Sequence, residues 1–233
     1  MARRKPKYYQ KDKKNEDGPA RLKNSVSARG SNQKEYIKSI FHNDIVFCDG
    51  PAGSGKTHIA VGCAVQSLIE GKVERIVITR PTVEAGESIG YLPGTADQKL
   101  TPYLLPVFDE LKYFVSQEQI FSWKNKGILE VAPIGLMRGR SFHNAFIIGD
   151  ECQNLSMEQT KMFLTRMGFE SKLVITGDRS QSDLPFSRQG AFTTCLEKLK
   201  DVSGIGIIHL KKCDIVRNPL IPLILECLDE IGD

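Results

Sequence analysis

The sequence predicts a single doubly wound α/β domain, a mostly parallel sheet flanked by helices, on three observations. From Asn43 onward, short apolar runs alternate with stretches of helical periodicity, the pattern of a sheet covered on both faces. Gly-Pro-Ala-Gly-Ser-Gly-Lys-Thr at 50–57 sits between the apolar run Ile45-Val46-Phe47-Cys48 and a helical stretch, so a strand, a glycine-rich loop and a helix follow one another. Two further apolar runs end in polar residues, Asp150-Glu151 and Gly177-Asp178. In a parallel sheet those carboxyl ends face the crevice where ligands bind.

In chain order, residues 1–31 combine Lys, Arg, Asn, Ser and Gly with few large aliphatic side chains. They cannot bury enough surface to offset the entropy of ordering, which predicts a disordered basic tail ahead of one domain over 32–233. Strands are expected at 44–48, 75–80, 128–132, 145–149, 172–176 and 205–210, and helices at 57–70, 156–167, 190–201 and 219–230. Ser156 followed by Gln159 has the spacing of a capping box and sets the start of the second helix.

With 233 residues, 40% of them apolar and 26% charged, the chain has the balance of a globular protein with one sizeable core. No apolar run approaches the roughly 18–20 residues of a membrane span, and the N-terminus lacks the apolar stretch of a signal peptide. A cytoplasmic protein without membrane partners is expected. The six cysteines form no C-x-x-C pair, and the four histidines do not pair with them at metal-ligand spacing, so reduced core thiols are the expectation. Charge is unevenly spread: residues 1–34 carry eleven Lys or Arg against three acids, a net +8, while the remainder is −4. Such an arm suits a nucleic-acid backbone, with Tyr8 and Tyr9 as stacking residues, or is simply a solvated tail.

The chemistry centres on Gly50, Pro51, Ala52, Gly53, Ser54, Gly55, Lys56 and Thr57. Glycines let the backbone curl with its N–H groups inward, and the following helix N-terminus adds partial positive charge, which makes a cradle for phosphate oxygens. Lys56 is placed to reach the β- and γ-phosphates and Thr57 to hold Mg²⁺. Asp150 is expected to bind the same ion, partly through water, and Glu151 to polarise an attacking water. On the third strand, Asp178 and Gln181 are candidates to sense the γ-phosphate and orient that water. Gln33-Lys34-Glu35-Tyr36 resembles the glutamine motif that reads adenine in helicase-like ATPases, a task an amide suits because it donates and accepts at once, or is a polar helix start at the tail boundary. Arg80, Arg138 and Arg140 offer planar forks suited to phosphate, for a nucleic-acid backbone or the nucleotide, or else pair with Glu84, Glu87 and Glu151. Trp123, Tyr103, Phe108, Tyr113 and Phe114 read as core rather than as a stacking platform.

Together the phosphate loop, Arg80 to Glu87 with Leu92-Pro93-Gly94, Pro102-Tyr103, Met137-Arg138-Gly139-Arg140, Asp150-Glu151-x-Gln153-Asn154, Thr176-Gly177-Asp178-x-x-Gln181 and Asp214-Ile215-Val216-Arg217 resemble the PhoH family. These phosphate-starvation-type ATPases are related to the ATP-binding domain of superfamily 1 helicases. The likeness runs from about Gln33 to Leu228, and the short form, without an attached nuclease or RNA-binding domain, is similar to versions found in bacteriophages. A phage-encoded chain would work in the host cytoplasm. The resemblance implies a RecA-like phosphate-loop NTPase core that hydrolyses ATP with Mg²⁺, coupled to RNA or single-stranded DNA. Gly149, where a larger aliphatic residue is usual, and Cys152, where alanine is usual, depart from the family pattern.

Two-domain helicases present a catalytic arginine from a second domain. Here Arg217 bends back to its own site or acts on a neighbour's, or else is a helix-capping or ion-paired arginine; closed rings are the usual solution for head-to-tail contacts, so a homo-oligomer, a hexamer by analogy, is expected. The competing readings are a small phosphate-loop kinase and a nucleotide-binding regulator acting through partners. No cluster of three or more acids outside the nucleotide site suggests a nuclease centre.

Overall fold

The computed structural model describes residues 21–81, 96–184, 190–216 and 220, with 96–104 described along the backbone alone. All six expected strands are present: β1 (Ile45–Asp49), β2 (Arg75–Thr79), β3 (Leu129–Val131), β4 (Ala145–Gly149), β5 (Lys172–Gly177) and β6 (Ile205–His209). They form one sheet in the order β3-β2-β4-β5-β1-β6, and every pairing is parallel.

Period-two alternation along these strands builds two cores. Val46, Cys48, Ile76, Ile78 and Phe146 enter one face, under α1 (Ser31–His42), α2 (Lys56–Ile69), α3 (Ala96–Phe114) and α4 (Gln117–Asn125). Phe47, Val77, Ile147, Leu173 and Ile175 enter the other, where Phe163 of α5 (Met157–Leu164) and Phe192 and Leu196 of α6 (Ala191–Lys198) cover them. The sheet is therefore doubly wound, as periodicity predicts. The capping box at Ser156 also forms, with Gln159 N donating to Ser156 Oγ at 3.3 Å and Ser156 N to Gln159 Oε1 at 2.9 Å.

Three helices are missing from the predicted set. α1 begins after Gly30 with no side-chain cap, and its buried Gln33, Tyr36 and Ile40 recur at helical spacing within a polar background. α3 contains Pro102 and Pro106, which argue against a helix interior; burial of Val107, Leu111 and Phe114 overrides that preference. α4 is short and starts at Ser116, whose hydroxyl accepts from Gln119 N. The expected helix at 219–230 lies outside the described residues apart from Leu220.

The boundary of the basic tail also shifts. Residues 21–30, which composition places in the tail, run as an ordered strap over the body. Leu22 and Val26 pack on the core, Lys23 N donates to Phe114 O at 2.8 Å, and Asn24 Nδ2 donates to Tyr113 O at 2.7 Å. Two apolar side chains and two long-range hydrogen bonds to α3 outweigh the polar composition of this stretch. Residues 1–20 lie outside the described residues.

Candidate functional site

β5 sits between β1 and β4, so the loop after β1 and the acids after β4 stand two strand spacings apart, roughly 10 Å. Hydroxyl groups close that gap. Thr57 Oγ1, in the first turn of α2, and Thr176 Oγ1, near the end of β5, each donate to Asp150 Oδ1 at 2.7 Å. Asp150 is only 2% exposed, and its Oδ2 lies 3.6 Å from an Arg80 guanidinium nitrogen.

The phosphate loop has the conformation its glycines permit. Gly53 and Gly55 adopt left-handed φ values of 81° and 89°, which side-chain-bearing residues rarely take. Lys56 is buried and folds back, donating to Gly50 O at 2.6 Å and Pro51 O at 3.1 Å. These carbonyls hold the ammonium where an anion inside the loop would meet it. Ser54 is fully buried, its hydroxyl donating to Pro51 O at 2.7 Å, and Gly50 N donates to Gly177 O at 3.1 Å, tying the loop to β5. Beneath the loop, burial raises the Tyr36 hydroxyl and the Cys48 thiol far above their ordinary pKa values, so both stay neutral.

Glu151 occupies the left-handed region with φ 55° and ψ 39°, a strained setting for a non-glycine residue, and its side chain lines the cleft. Gln153 holds it there: Nε2 donates to Glu151 Oε2 at 2.6 Å while Oε1 accepts from Asp178 N at 3.1 Å. This buried amide links the ends of β4 and β5, and site prediction from sequence missed it, although the string Asp150-Glu151-x-Gln153 carried the signal. Next to it, Asn154 exchanges two hydrogen bonds with Asp183, at 3.0 and 2.8 Å. A Cβ on Gly149 would lie 2.6 Å from Phe163 Cε1 and 2.7 Å from Cys152 Sγ, so the end of β4 has no room for a side chain at 149. Burial, then the charges of Asp150 and Glu151, raises the Cys152 pKa and keeps it a thiol.

Asp178 caps its own turn, Oδ1 accepting from Ser180 N at 3.0 Å and Ser180 Oγ at 2.6 Å, while buried Oδ2 has no hydrogen-bond partner among the described residues. Gln181 lies exposed on the same turn. A second group missed from sequence stands at the base of the phosphate loop. Buried Asp49 receives Arg179 N at 3.1 Å, Arg179 Nε at 2.9 Å and His209 Nδ1 at 3.1 Å, joining the ends of β1, β5 and β6.

The three arginines considered for nucleic acid differ in setting. Arg80 faces the nucleotide side, within 3.8 Å of Glu151 as well as near Asp150. Arg140 makes a forked pair with Glu130 at 2.5 and 2.9 Å and stands 4.7 Å over the Phe142 ring, so its fork is already occupied. Arg138 is exposed. Arg217, Glu84 and Glu87 lie outside the described residues, but Val216 N donates to Gly53 O at 3.0 Å, so the chain leading to Arg217 reaches the phosphate loop of its own subunit.

The phosphate loop, Glu151 and Val216 border a cleft of about 380 Å³. Ser27, Arg29 and Gln33 line the same cleft, as do His58, Glu110 and Tyr113. Tyr113, expected in the core, is 49% exposed here, whereas Phe114 and Trp123 are buried. A magnesium–nucleotide pair fits this chemistry. Thr57 and Asp150 supply only oxygen donors, which suit a hard cation, and among the described residues no cluster of three or more His, Cys, Asp or Glu forms a metal cage. An ion held mainly by phosphate and water needs no such cage.

A profile of PhoH-like proteins matches residues 25–229. The chain belongs to the PhoH-like protein family. It is 45% identical over 204 residues to the PhoH-like protein of Synechocystis sp., covering 88% of this chain and 62% of that one. It is 45% identical over 206 residues to that of Bacillus subtilis, covering 88% and 65%, and 39% identical to Protein PhoH of Escherichia coli over 84% and 56%. This PhoH-like chain thus spans about three fifths of the length of the curated relatives it matches. Among solved structures, the large terminase of a thermophilic bacteriophage superposes with a TM-score of 0.54 at 13% identity, over 84% of this chain and 49% of the terminase. That likeness concerns the fold alone, a parallel sheet covered by helices on both faces. Among the described residues no helix is long and apolar enough to cross a membrane.

Proposed function

We propose that this PhoH-like chain hydrolyses ATP in a magnesium-dependent reaction coupled to RNA or single-stranded DNA, as a helicase or remodeller. The observation that carries the hydrolytic reading is the convergence of Thr57 and Thr176 on Asp150, beside a Glu151 fixed by Gln153 and facing the phosphate loop. In this reading Lys56 leaves its carbonyl partners for the β- and γ-phosphates. Thr57 and Asp150 would hold Mg²⁺, which would supply positive charge beside the phosphate oxygens. Glu151 takes the proton of the attacking water, and Asp178 and Gln181 respond to the γ-phosphate.

Coupling to nucleic acid is supported by the basic N-terminal residues, by exposed Arg138 and by the helicase-related family pattern. Assembly into a ring, expected as a hexamer, rests on Arg217. Steady-state hydrolysis with and without RNA, single-stranded DNA and duplex tests the coupling; stimulation by one of them is expected. Hydrolysis indifferent to all three would favour a nucleotide-binding regulator acting through partners. Mixing Arg217→Ala with Lys56→Ala subunits tests the ring, because activity returns only if Arg217 serves a neighbour's site. No recovery would mean that Arg217 serves the subunit whose phosphate loop Val216 already touches.

A further inference from the structure

Beyond the phosphate loop the cleft is lined by two kinds of side chain, those already bonded at both ends and those still partly exposed. Gln33 is of the first kind. Its Oε1 accepts from Arg29 N at 2.8 Å, its Nε2 donates to Ser54 O at 2.9 Å, and it is 4% exposed. Nε2 also lies 3.0 Å from where a Cβ on Gly55 would stand, so the amide is packed directly on the phosphate loop. Reading an adenine edge takes a donor and an acceptor together; in Gln33 each already makes one bond to backbone, and with 4% of the residue exposed little surface is left for a base. Tyr36, one turn along α1, also faces the loop, its hydroxyl 3.4 Å from Lys56 O.

Tyr113, with His58 and Glu110 beside it, is of the second kind. The Tyr113 ring is half exposed and is held on edge by buried Phe114, at 5.1 Å between centroids, and by His58, at 5.0 Å. His58 Nδ1 lies 2.6 Å from Glu110 Oε2, which fixes the imidazole and leaves Nε2 as its other polar atom. His58 directly follows Thr57, so this group begins where the phosphate site ends. A half-exposed aromatic, a second ring with a further nitrogen and a carboxylate provide stacking and polar contacts for a base.

We propose that the nucleobase is held by the wall His58–Glu110–Tyr113, and that Gln33 is a strut joining residues 21–30 to the phosphate loop, not the reader of the base. The division rests on the nucleotide-binding reading above. It is tested by measuring affinities of the full chain, with Mg²⁺, for ATP, GTP, CTP and inorganic tripolyphosphate, which has the phosphates but no base. Tyr113→Ala should weaken ATP about tenfold, within the range for losing one base stack, and leave tripolyphosphate unchanged. Gln33→Met should weaken ATP and tripolyphosphate by the same factor and preserve the order among the three nucleotides. Gln33→Glu, which keeps an acceptor for Arg29 N and loses the donor to Ser54 O, should behave likewise and serves if the Met variant fails to fold. The proposal is overturned if either Gln33 variant loses ATP affinity but not tripolyphosphate affinity, if it erases discrimination among bases, or if Tyr113→Ala weakens both ligands equally. Wild-type protein that binds none of the four ligands would refute the nucleotide reading itself.

Discussion

Gln153→Leu removes the side chain that bridges Glu151 and the β5 turn, with little change in volume. Asp178 N, now bonded at 3.1 Å, would be left buried without its acceptor, at a cost of about 1–3 kcal/mol. Glu151, 34% exposed at its side chain, can rehydrate, so the loss of its 2.6 Å partner should cost little stability. A total near ~2 kcal/mol corresponds to a fall of roughly 4–8 °C in Tm for a chain of this size. Turnover should fall much further, because a general base displaced by about 1 Å can lose on the order of 10² in rate. KM should be nearly unchanged, since the amide touches neither the phosphate loop nor the base wall. Gln153→Glu separates the two ends: it keeps an acceptor for Asp178 N but sets a carboxylate against Glu151. It should therefore lose less Tm and at least as much kcat. Thermal unfolding and steady-state hydrolysis of both variants provide the check. A Gln153→Leu enzyme with kcat within about twofold of wild type and a lowered Tm would make Gln153 structural only and refute its action through Glu151.

Lys56→Ala should abolish hydrolysis and weaken nucleotide binding measured by titration, whereas Glu151→Gln should keep binding and lose turnover, because Glu151 acts on the transition state. Gly149→Ala should destabilise the fold by about 1–3 kcal/mol in denaturant titration, since its Cβ meets Phe163 and Cys152 at 2.6 and 2.7 Å, and adding Cys152→Ala should recover part of that deficit. Burial pushes the Cys63 thiol from its ordinary 9.0 up to about 12, so over that pH interval the unfolded chain gives up a proton the folded chain keeps. Stability should then fall as pH rises, by about 1.4 kcal/mol per unit from this thiol, and Cys63→Ala should flatten the decline in alkaline denaturation. Deleting residues 1–20 should leave basal hydrolysis intact and lower the salt slope of nucleic-acid binding by about 0.7 for each single-strand phosphate the arm no longer neutralises. Deleting 1–31 should also impair nucleotide binding, because it removes the strap at Arg29.

The sheet, its two covered faces and the glycine-rich loop between β1 and α2 were legible because their causes are local. Alternating apolar residues set each strand, Ser156 and Gln159 set a helix start, and the glycines at 53 and 55 permit a loop that few other sequences could adopt. The strand order was not legible: nothing within Lys172–Gly177 says that this strand lies between β1 and β4, yet that placement brings the Thr176 hydroxyl to Asp150. The same holds for Gln153 against Asp178, Asp49 against Arg179 and His209, and Tyr113 at the cleft, each joining residues distant in the chain. Residues 21–30 and α3 show the limit from the other side. Their polar composition and prolines predict one state, and contacts with α2, Phe114 and the core select another, because burial summed over a tertiary interface exceeds the local preference of any few residues.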